Sequence, residues 1–237
     1  MEFFMNRIML IQDIINKKKM SRYLEIGASG GKTFFRIKAR RKTAVDPKFH
    51  FHNAHKVFGV FKNFCNIRNR YFEITSDAYF SQKSELLLKT GLDVVLIDGL
   101  HSYKQALLDV ENALKYLNPG GVIIMHDCNP ATEAMACPAD SPEQAQSYHL
   151  PGWTGAWCGD VWKTICHLRT NHDDLHVFVF DCDYGLGVVT KGRPEKPLEL
   201  TTEQIGHLTY MDLEKNRDEY LNLKKADYFN SFINPSG

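Results

Sequence analysis

A chain of 237 residues with 43% hydrophobic content is long enough to bury a sizeable core, and its 29 lysines and arginines nearly balance 28 aspartates and glutamates. The formal charge of +1 supplies no overall field for a polyanion or an anionic bilayer, so neither nucleic acid nor membrane is expected as a partner and a small molecule is. No run of about 18 apolar residues occurs, no signal-peptide pattern is seen, and the scattered cysteines form no CxxC pair, which together predict a cytoplasmic protein with reduced thiols.

Phe4, Ile8, Ile11 and Ile15 recur at helical spacing and predict an amphipathic helix that closes on Lys17, Lys18 and Lys19. Arg22 to Ile26 reads as a short buried strand. The glycine-rich turn GASGG follows, then a short helix from Lys32 onward and a second strand, KTAVD, ending on Asp46, which makes a βαβ opening. Residues 47–70 mix aromatic and basic side chains without a clean period and are read as irregular or helical. YFEIT (71–75) reads as strand, SELLLKTG as a helix closed by Gly91, and DVVLIDG as an apolar strand carrying Asp98 at its end. Leu107, Val110, Leu114 and Leu117 mark one face of a helix that Pro119-Gly120-Gly121 breaks, and VIIMHD forms a fifth strand with His126 and Asp127 at its tip. Residues 128–158 form a long irregular stretch, of the kind that is usually functional or disordered. GDVWKTICHLR reads as helix, HVFVFD and GLGVVTK as two strands joined by the turn CDYG, and 202–226 as a polar helix.

This alternation predicts a doubly wound, mostly parallel α/β sheet of Rossmann-like type with helices on both faces and an antiparallel last strand. One domain is expected over 1–237, with an N-terminal helix (1–20), a catalytic core (21–191) and a C-terminal helical extension (192–237). Ligands in such sheets sit beyond the C-terminal ends of the strands, so the polar residues at strand tips carry the functional reading.

Glu25-Ile26-Gly27-Ala28-Ser29-Gly30-Gly31 places glycines where a ligand must approach backbone and where amides face an electronegative group. The run GASGGKT falls one residue short of phosphate-loop spacing. A carboxylate at Glu25 would repel a triphosphate and suits a ligand with an ammonium and a sulfonium, both of which S-adenosylmethionine carries. Asp46 is placed to accept the ribose hydroxyls, as it would be for NAD. Ser76 and Asp77 either reach an adenine amine or cap a helix. Asp98, His126 and Asp127 are candidates to hold a divalent metal that orients and acidifies a substrate hydroxyl. Alternatively, His101 or His126 serves as a general base without metal. In the long loop, His149, Trp153 and Trp157 with Asp160 and Lys163 are candidates to bind the substrate, against packing and helix capping as the structural alternative.

Taken together, LEIGASGG, TAVDP, TSDAYF, LIDGLHSYKQALLDVENALKYLNPGG and VIIMHDCNP resemble a class I S-adenosylmethionine-dependent methyltransferase over residues 20–190. Within that class they are similar to a bacterial group that accompanies glycan or natural-product biosynthesis. The resemblance implies a seven-stranded sheet with the last strand antiparallel, Glu25, Gly27, Ser29 and Gly31 around the methionine moiety and Asp46 on the ribose; Gly30 and Asp98 are further candidates to bind the cofactor. Ser29 stands where the family's middle glycine is usual. Metal-dependent sugar and catechol O-methyltransferases offer Asp-Asp or Asp-Asn where this chain has His126-Asp127-Cys128, a loss of one oxygen ligand that points to a softer metal or none. The expected activity is O-methylation of a sugar, glycan precursor or secondary metabolite. N-methylation, a nucleotide-binding oxidoreductase and a non-catalytic module are the alternatives, and the oligomeric state is open, with a homodimer among the options.

Overall fold

The computed structural model describes residues 5–234, so Phe4 of the first helical pattern lies outside the described residues. The described chain forms two compact units, one of Met5–Gly99 with Asp109–Ile124 and one of Leu100–Leu108 with residues 125–234. In the first unit the strands β1 (Arg22–Ile26), β2 (Arg41–Val45), β3 (Arg70–Phe72), β4 (Leu92–Ile97) and β5 (Leu117–Met125) hydrogen-bond in the order β3-β2-β1-β4-β5, and in the second β6 (Leu175–Phe180), β7 (Leu186–Lys191) and β8 (Leu223–Lys224) in the order β7-β6-β8, an α/β architecture.

In the first unit, α1 (Arg7–Lys17) begins where the Asn6 side chain accepts the Met9 amide, and it buries Leu10, Ile11, Ile14 and Ile15. β1 (Arg22–Ile26) lies parallel between β2 (Arg41–Val45) and β4 (Leu92–Ile97), with Glu25 opposite Ala44 on one side and Leu96 on the other. Between β2 and β4 run α2 (Asn53–Lys62), a 3-10 helix (Phe64–Arg68), β3 (Arg70–Phe72), α3 (Ser76–Gln82) and α4 (Ser84–Thr90). β3 is shorter than expected and pairs parallel to β2. α4 ends on Gly91 at φ +65 and ψ 179, a region essentially confined to glycine.

The helix expected from Lys32 does not form; residues 32–36 are a run of turns. The carbonyls a helix would use internally are taken by side chains instead. The Lys42 ammonium donates to Phe34 O at 2.6 Å, to Ile37 O at 2.9 Å and to Asn66 Oδ1. The Asn63 amide donates to Phe35 O and Ile37 O, and that of Asn66 to Phe35 O and Gly59 O. Residues 47–70, without a period in the sequence, are organised around these inward-turned amides.

α5 (Tyr103–Leu114) precedes β5 (Leu117–Met125), which runs through Pro119-Gly120-Gly121 where a break was expected. Gly120 takes φ +74 inside the strand, so the tripeptide lies within it and does not end it.

In the second unit the long stretch after β5 contains α6 (Glu133–Ala136) and α7 (Pro142–Ser147), capped by Thr132 and Ser141, before α8 (Trp162–Asn171). β6 (Leu175–Phe180) and β7 (Leu186–Lys191) form the antiparallel hairpin. The expected 202–226 helix is two, α9 (Thr202–His207) and α10 (Tyr210–Leu221), because separate capping boxes at Thr201 with Gln204 and Thr209 with Asp212 each start a helix. β8 (Leu223–Lys224), parallel to β6, is an eighth strand beyond the seven expected, and α11 (Tyr228–Ile233) follows it. Two residues are too few for any alternation to show, and β8 is seated by Asn222, whose side chain donates to Val177 O and Glu195.

Lys42 is 1% exposed, and burial lowers its pKa to about 8. Lys42→Met keeps the aliphatic stem but strips three acceptors of their donor. The substitution is expected to destabilise the protein by about 2 kcal/mol in denaturant titration. An unchanged midpoint would show that these bonds do not hold the 32–36 turns.

Candidate active site

In the first unit, the end of β1 meets the end of β4 through Gly27. Its φ is +82, and a Cβ there would stand 1.9 Å from the Asp98 carbonyl oxygen, so only glycine fits. The following turn is tied to β2. The Ser29 amide, at φ +39, donates to Asp46 Oδ2 at 2.7 Å, and the Lys48 amide donates to Oδ1 at 2.8 Å. Ser29 Oγ lies 3.2 Å from His50 Nδ1. Gly31 is backed by the Phe35 ring, whereas a Cβ on Gly30 would meet open space.

Glu25 is 2% exposed and accepts the Tyr23 hydroxyl at 2.5 Å. Burial is the largest influence on it and raises its pKa from 4.5 to about 8. In the ligand-free protein the group therefore favours its neutral form near pH 7, not the carboxylate expected from the sequence. A cation arriving beside it would restore the charge. Asp98, at the end of β4, accepts from Arg7 Nη1 at 2.7 Å, an ion pair between the first helix and a strand tip. Ser76 is the buried first residue of α3 and Asp77 is exposed in its first turn, while the cap itself is Thr75, which accepts the Ala78 amide.

The second unit brings two histidines to one carboxylate. His101 Nδ1 lies 2.7 Å from the Trp157 carbonyl. A carbonyl only accepts, so Nδ1 carries a hydrogen, and Nε2, the position that gains or loses the second proton, lies 3.3 Å from Asp127 Oδ2, to which it donates only when protonated. The same oxygen is 2.7 Å from His126 Nδ1, and His126 Nε2 is 3.4 Å from Asp183 Oδ1. His126 thus has a carboxylate at each nitrogen and can donate to both only as imidazolium. Asp127 sits at φ +61, a conformation Asp tolerates better than most residues.

Asp183 is absent from the sequence reading. It belongs to the CDYG turn of the β6–β7 hairpin, where Asp183, Tyr184 and Gly185 all have positive φ. That turn docks on the chain after Asp127 through Cys128 N to Gly185 O and Asn129 N to Tyr184 O. An acid in a tight turn is ordinarily a turn former, which is why spacing alone does not single it out.

The loop residues have structural partners. Trp157 is buried, with Nε1 donating to Cys137 O, and Trp153 packs half-buried against the same cluster. Asp160 accepts the Tyr103 amide at 2.7 Å, so it caps the start of α5 and not its own helix. Lys163 donates to Gly206 O at 3.1 Å. His149 is exposed.

Residues 24–128 match a family described as a methyltransferase domain. No curated protein sequence matches the chain. Among solved structures, the fold is shared with a Klebsiella pneumoniae protein assigned as an O-methyltransferase (TM-score 0.57, 15% identity, covering 81% of this chain and 82% of that one). It is also shared with a Bacillus cereus O-methyltransferase in complex with SAH (0.51, 16%, 78% and 80%) and with the cofactor-bound Rv0187 from MTB (0.54, 14%, 78% and 79%). The segment that matches the methyltransferase-domain family spans the Gly27 turn, Asp46, Asp98, His101, His126 and Asp127, and the fold is one the chain shares with these solved structures.

Glu25 carries a linkage consequence. The folded chain holds a proton that the unfolded chain has released, so stability falls as pH rises from 4.5 to about 8. The loss amounts to at most about 5 kcal/mol across that window. Urea titrations of ligand-free protein should show this slope, and Glu25→Gln should flatten it. A wild type whose stability rises through the window would contradict a neutral Glu25.

Proposed function

We propose that this protein transfers the methyl group of S-adenosylmethionine to an oxygen of a small-molecule acceptor, releasing S-adenosylhomocysteine. The observation that carries this reading is the combination, in one methyltransferase-domain segment, of the Asp46-backed Gly27 turn with an imidazole of defined tautomer at His101. The SAH held by the Bacillus cereus protein of the same fold supports the choice of cofactor.

In this reading Glu25 answers the ammonium and sulfonium, Asp46 the ribose, Ser76 and Asp77 the adenine, and the Gly27–Gly31 turn lets the ligand reach the backbone. His101 Nε2 takes the proton of the acceptor hydroxyl as its oxygen attacks the methyl carbon, and Asp127 stabilises the imidazolium that results. Asp183 and Asp127 hold His126 between them, so His126 acts as a positioning residue. If a divalent cation takes part, Asp98, His126 and Asp127 remain its candidate donors from the sequence, and His101, which shares the Asp127 carboxylate with His126, joins them. An imidazole whose second N–H is anchored on a carbonyl, as in His101, is how proteins orient a metal-binding histidine. A cation there would polarise the acceptor oxygen. A small-molecule acceptor and a cytoplasmic location complete the reading, and among the described residues no helix is long and apolar enough to cross a membrane. His149, Trp153, Asp160 and Lys163 are proposed as walls and supports of the acceptor site.

Calorimetry should find S-adenosylmethionine and S-adenosylhomocysteine binding in the micromolar range, with Asp46→Ala weakening both by about 1–3 kcal/mol. Tighter binding of NAD would instead assign an oxidoreductase. His101→Ala and Asp127→Ala should leave cofactor affinity within a few-fold while lowering turnover of an identified acceptor by about two orders of magnitude. Chelation separates the two chemistries: loss of activity with EDTA and recovery with a divalent ion assigns the metal set, whereas indifference to EDTA assigns base catalysis by His101. Wild-type turnover in both variants would remove the centre from these residues altogether.

A further inference from the structure

The near-neutral total charge conceals a strongly one-sided segment. Between Asp46 and Glu73 there is no acid, and Lys48, Lys56, Lys62, Arg68 and Arg70 fall in the interval. The same stretch is inverted in its burial. Asn63 and Asn66 are 7% and 4% exposed, whereas Phe61, Phe64 and Ile67 are 75%, 77% and 69% exposed, and Val57 and Phe58 are open as well. The amides are turned inward because the Phe35, Ile37 and Gly59 carbonyls need donors there, and this leaves the apolar side chains outside with no protein to cover them among the described residues. Scattered exposed apolar residues need no explanation, but a contiguous set rimmed by charge marks an interaction surface.

Beside it lies a pocket of about 370 Å³ lined by Arg22, Arg41, Arg68 and Arg70 together with Thr43 and Leu86, and no carboxylate is among its lining residues. Arg22, Arg41 and Arg70 are the first residues of β1, β2 and β3, so the pocket lies at the opposite strand ends from the Gly27 turn. Arg22 is in register with Arg41, and Thr43, two residues on, is in register with Arg70. Register mates share a face, as do residues two apart, so three arginines project from one face of three adjacent strands. Like charges directly opposite one another are unfavourable without a counter-ion. Asp93, which accepts the Ser21 and Arg22 amides and Asn118 Nδ2, also attracts the Arg22 charge, and it is not among the residues lining the pocket. Arg22 Nε is shut off from solvent without a hydrogen-bond partner.

We propose that this arginine pocket and the adjoining Phe64–Ile67 surface dock the protein on an anionic phospholipid surface, the guanidinium groups taking headgroup phosphate while the exposed phenylalanines and isoleucine enter the acyl boundary. Guanidinium matches phosphate in two-pronged geometry, and an apolar face with a basic rim is what interfacial binding requires. Arg68 belongs to both features, being the last residue of the 3-10 helix that carries Phe64 and Ile67. Exposed Leu86 is among the residues that line the pocket. A second copy of the chain is a poor occupant, because a two-fold interface would set this basic surface against itself.

The test is co-sedimentation of the full chain with phosphatidylcholine vesicles, with and without phosphatidylglycerol. Binding is expected only to the anionic vesicles and should weaken as salt is raised. The double variant Arg68→Ala with Arg70→Ala should lower partitioning about tenfold or more, and Phe64→Ser with Ile67→Ser should lower it to a similar degree. Thermal unfolding and S-adenosylmethionine binding serve as folding controls, since none of these residues belongs to the proposed cofactor site. Equal binding to neutral and anionic vesicles, or none to either, overturns the proposal. Loss in the arginine variant alone also overturns it, because the apolar side chains then take no part in binding. Single-stranded oligonucleotide bound more tightly than vesicles would assign the surface to nucleic acid. A dimer that these substitutions dissolve would assign it to a second copy.

Discussion

The closeness of Gly27 to the Asp98 carbonyl oxygen governs the organisation of the first unit. With 1.9 Å left for a Cβ, the backbone leaving β1 passes under the end of β4 only because that residue has no side chain. From this crossing the other positions follow. The turn must rise immediately, Ser29 enters the left-handed region, and its amide comes within reach of Asp46 at the end of β2. Parallel register then sets Glu25 one residue inside the edge, between Ala44 and Leu96, where water does not reach it.

Burial of charge is handled differently at three places in the molecule. Lys42 keeps three oxygen acceptors and organises the segment after the glycine turn. Glu25, with only the Tyr23 hydroxyl as a direct partner, is driven towards its neutral form, an arrangement suited to a group that ionises when a cation arrives. Arg169 donates to the Glu219, Tyr220 and Lys196 carbonyls and so fastens the end of α10 and the 196 region to α8. The first and third are structural uses of a cation as a multiple donor; the second leaves a partner missing, which is the mark of a binding position.

What the sequence disclosed, and what it did not, follows from the range of the interactions concerned. The strand of Arg22 to Ile26, the glycine turn, the Asp46 and Asp98 tips and the apolar fourth and fifth strands are local patterns of burial and conformational freedom, and all are legible in the order of residues. The turns at 32–36 are not, because they depend on Lys42, Asn63 and Asn66 donating from a distance into carbonyls that a helix would otherwise have used. β8 carries too few residues for periodicity. Asp160 reads as a cap, but which helix it caps is decided by tertiary approach to Tyr103. Asp183 and the direction of the His101 ring depend likewise on contacts made across large separations in the chain, to His126 and to Trp157.

The CDYG hairpin has a consequence for how this chain can vary over time. Hairpin tips ordinarily accept insertions and deletions freely, since they project into solvent and hold nothing in place. Here the tip is bonded to the residues after Asp127, and a Cβ on Gly185 would stand 2.3 Å from the Asn129 nitrogen. One added residue would displace the Asp183 side chain by about the 3.8 Å step between neighbouring Cα atoms, more than any hydrogen bond to His126 could follow. The β6–β7 connection is therefore length-locked, and descendants of this gene should differ there by substitution while gaining and losing residues elsewhere.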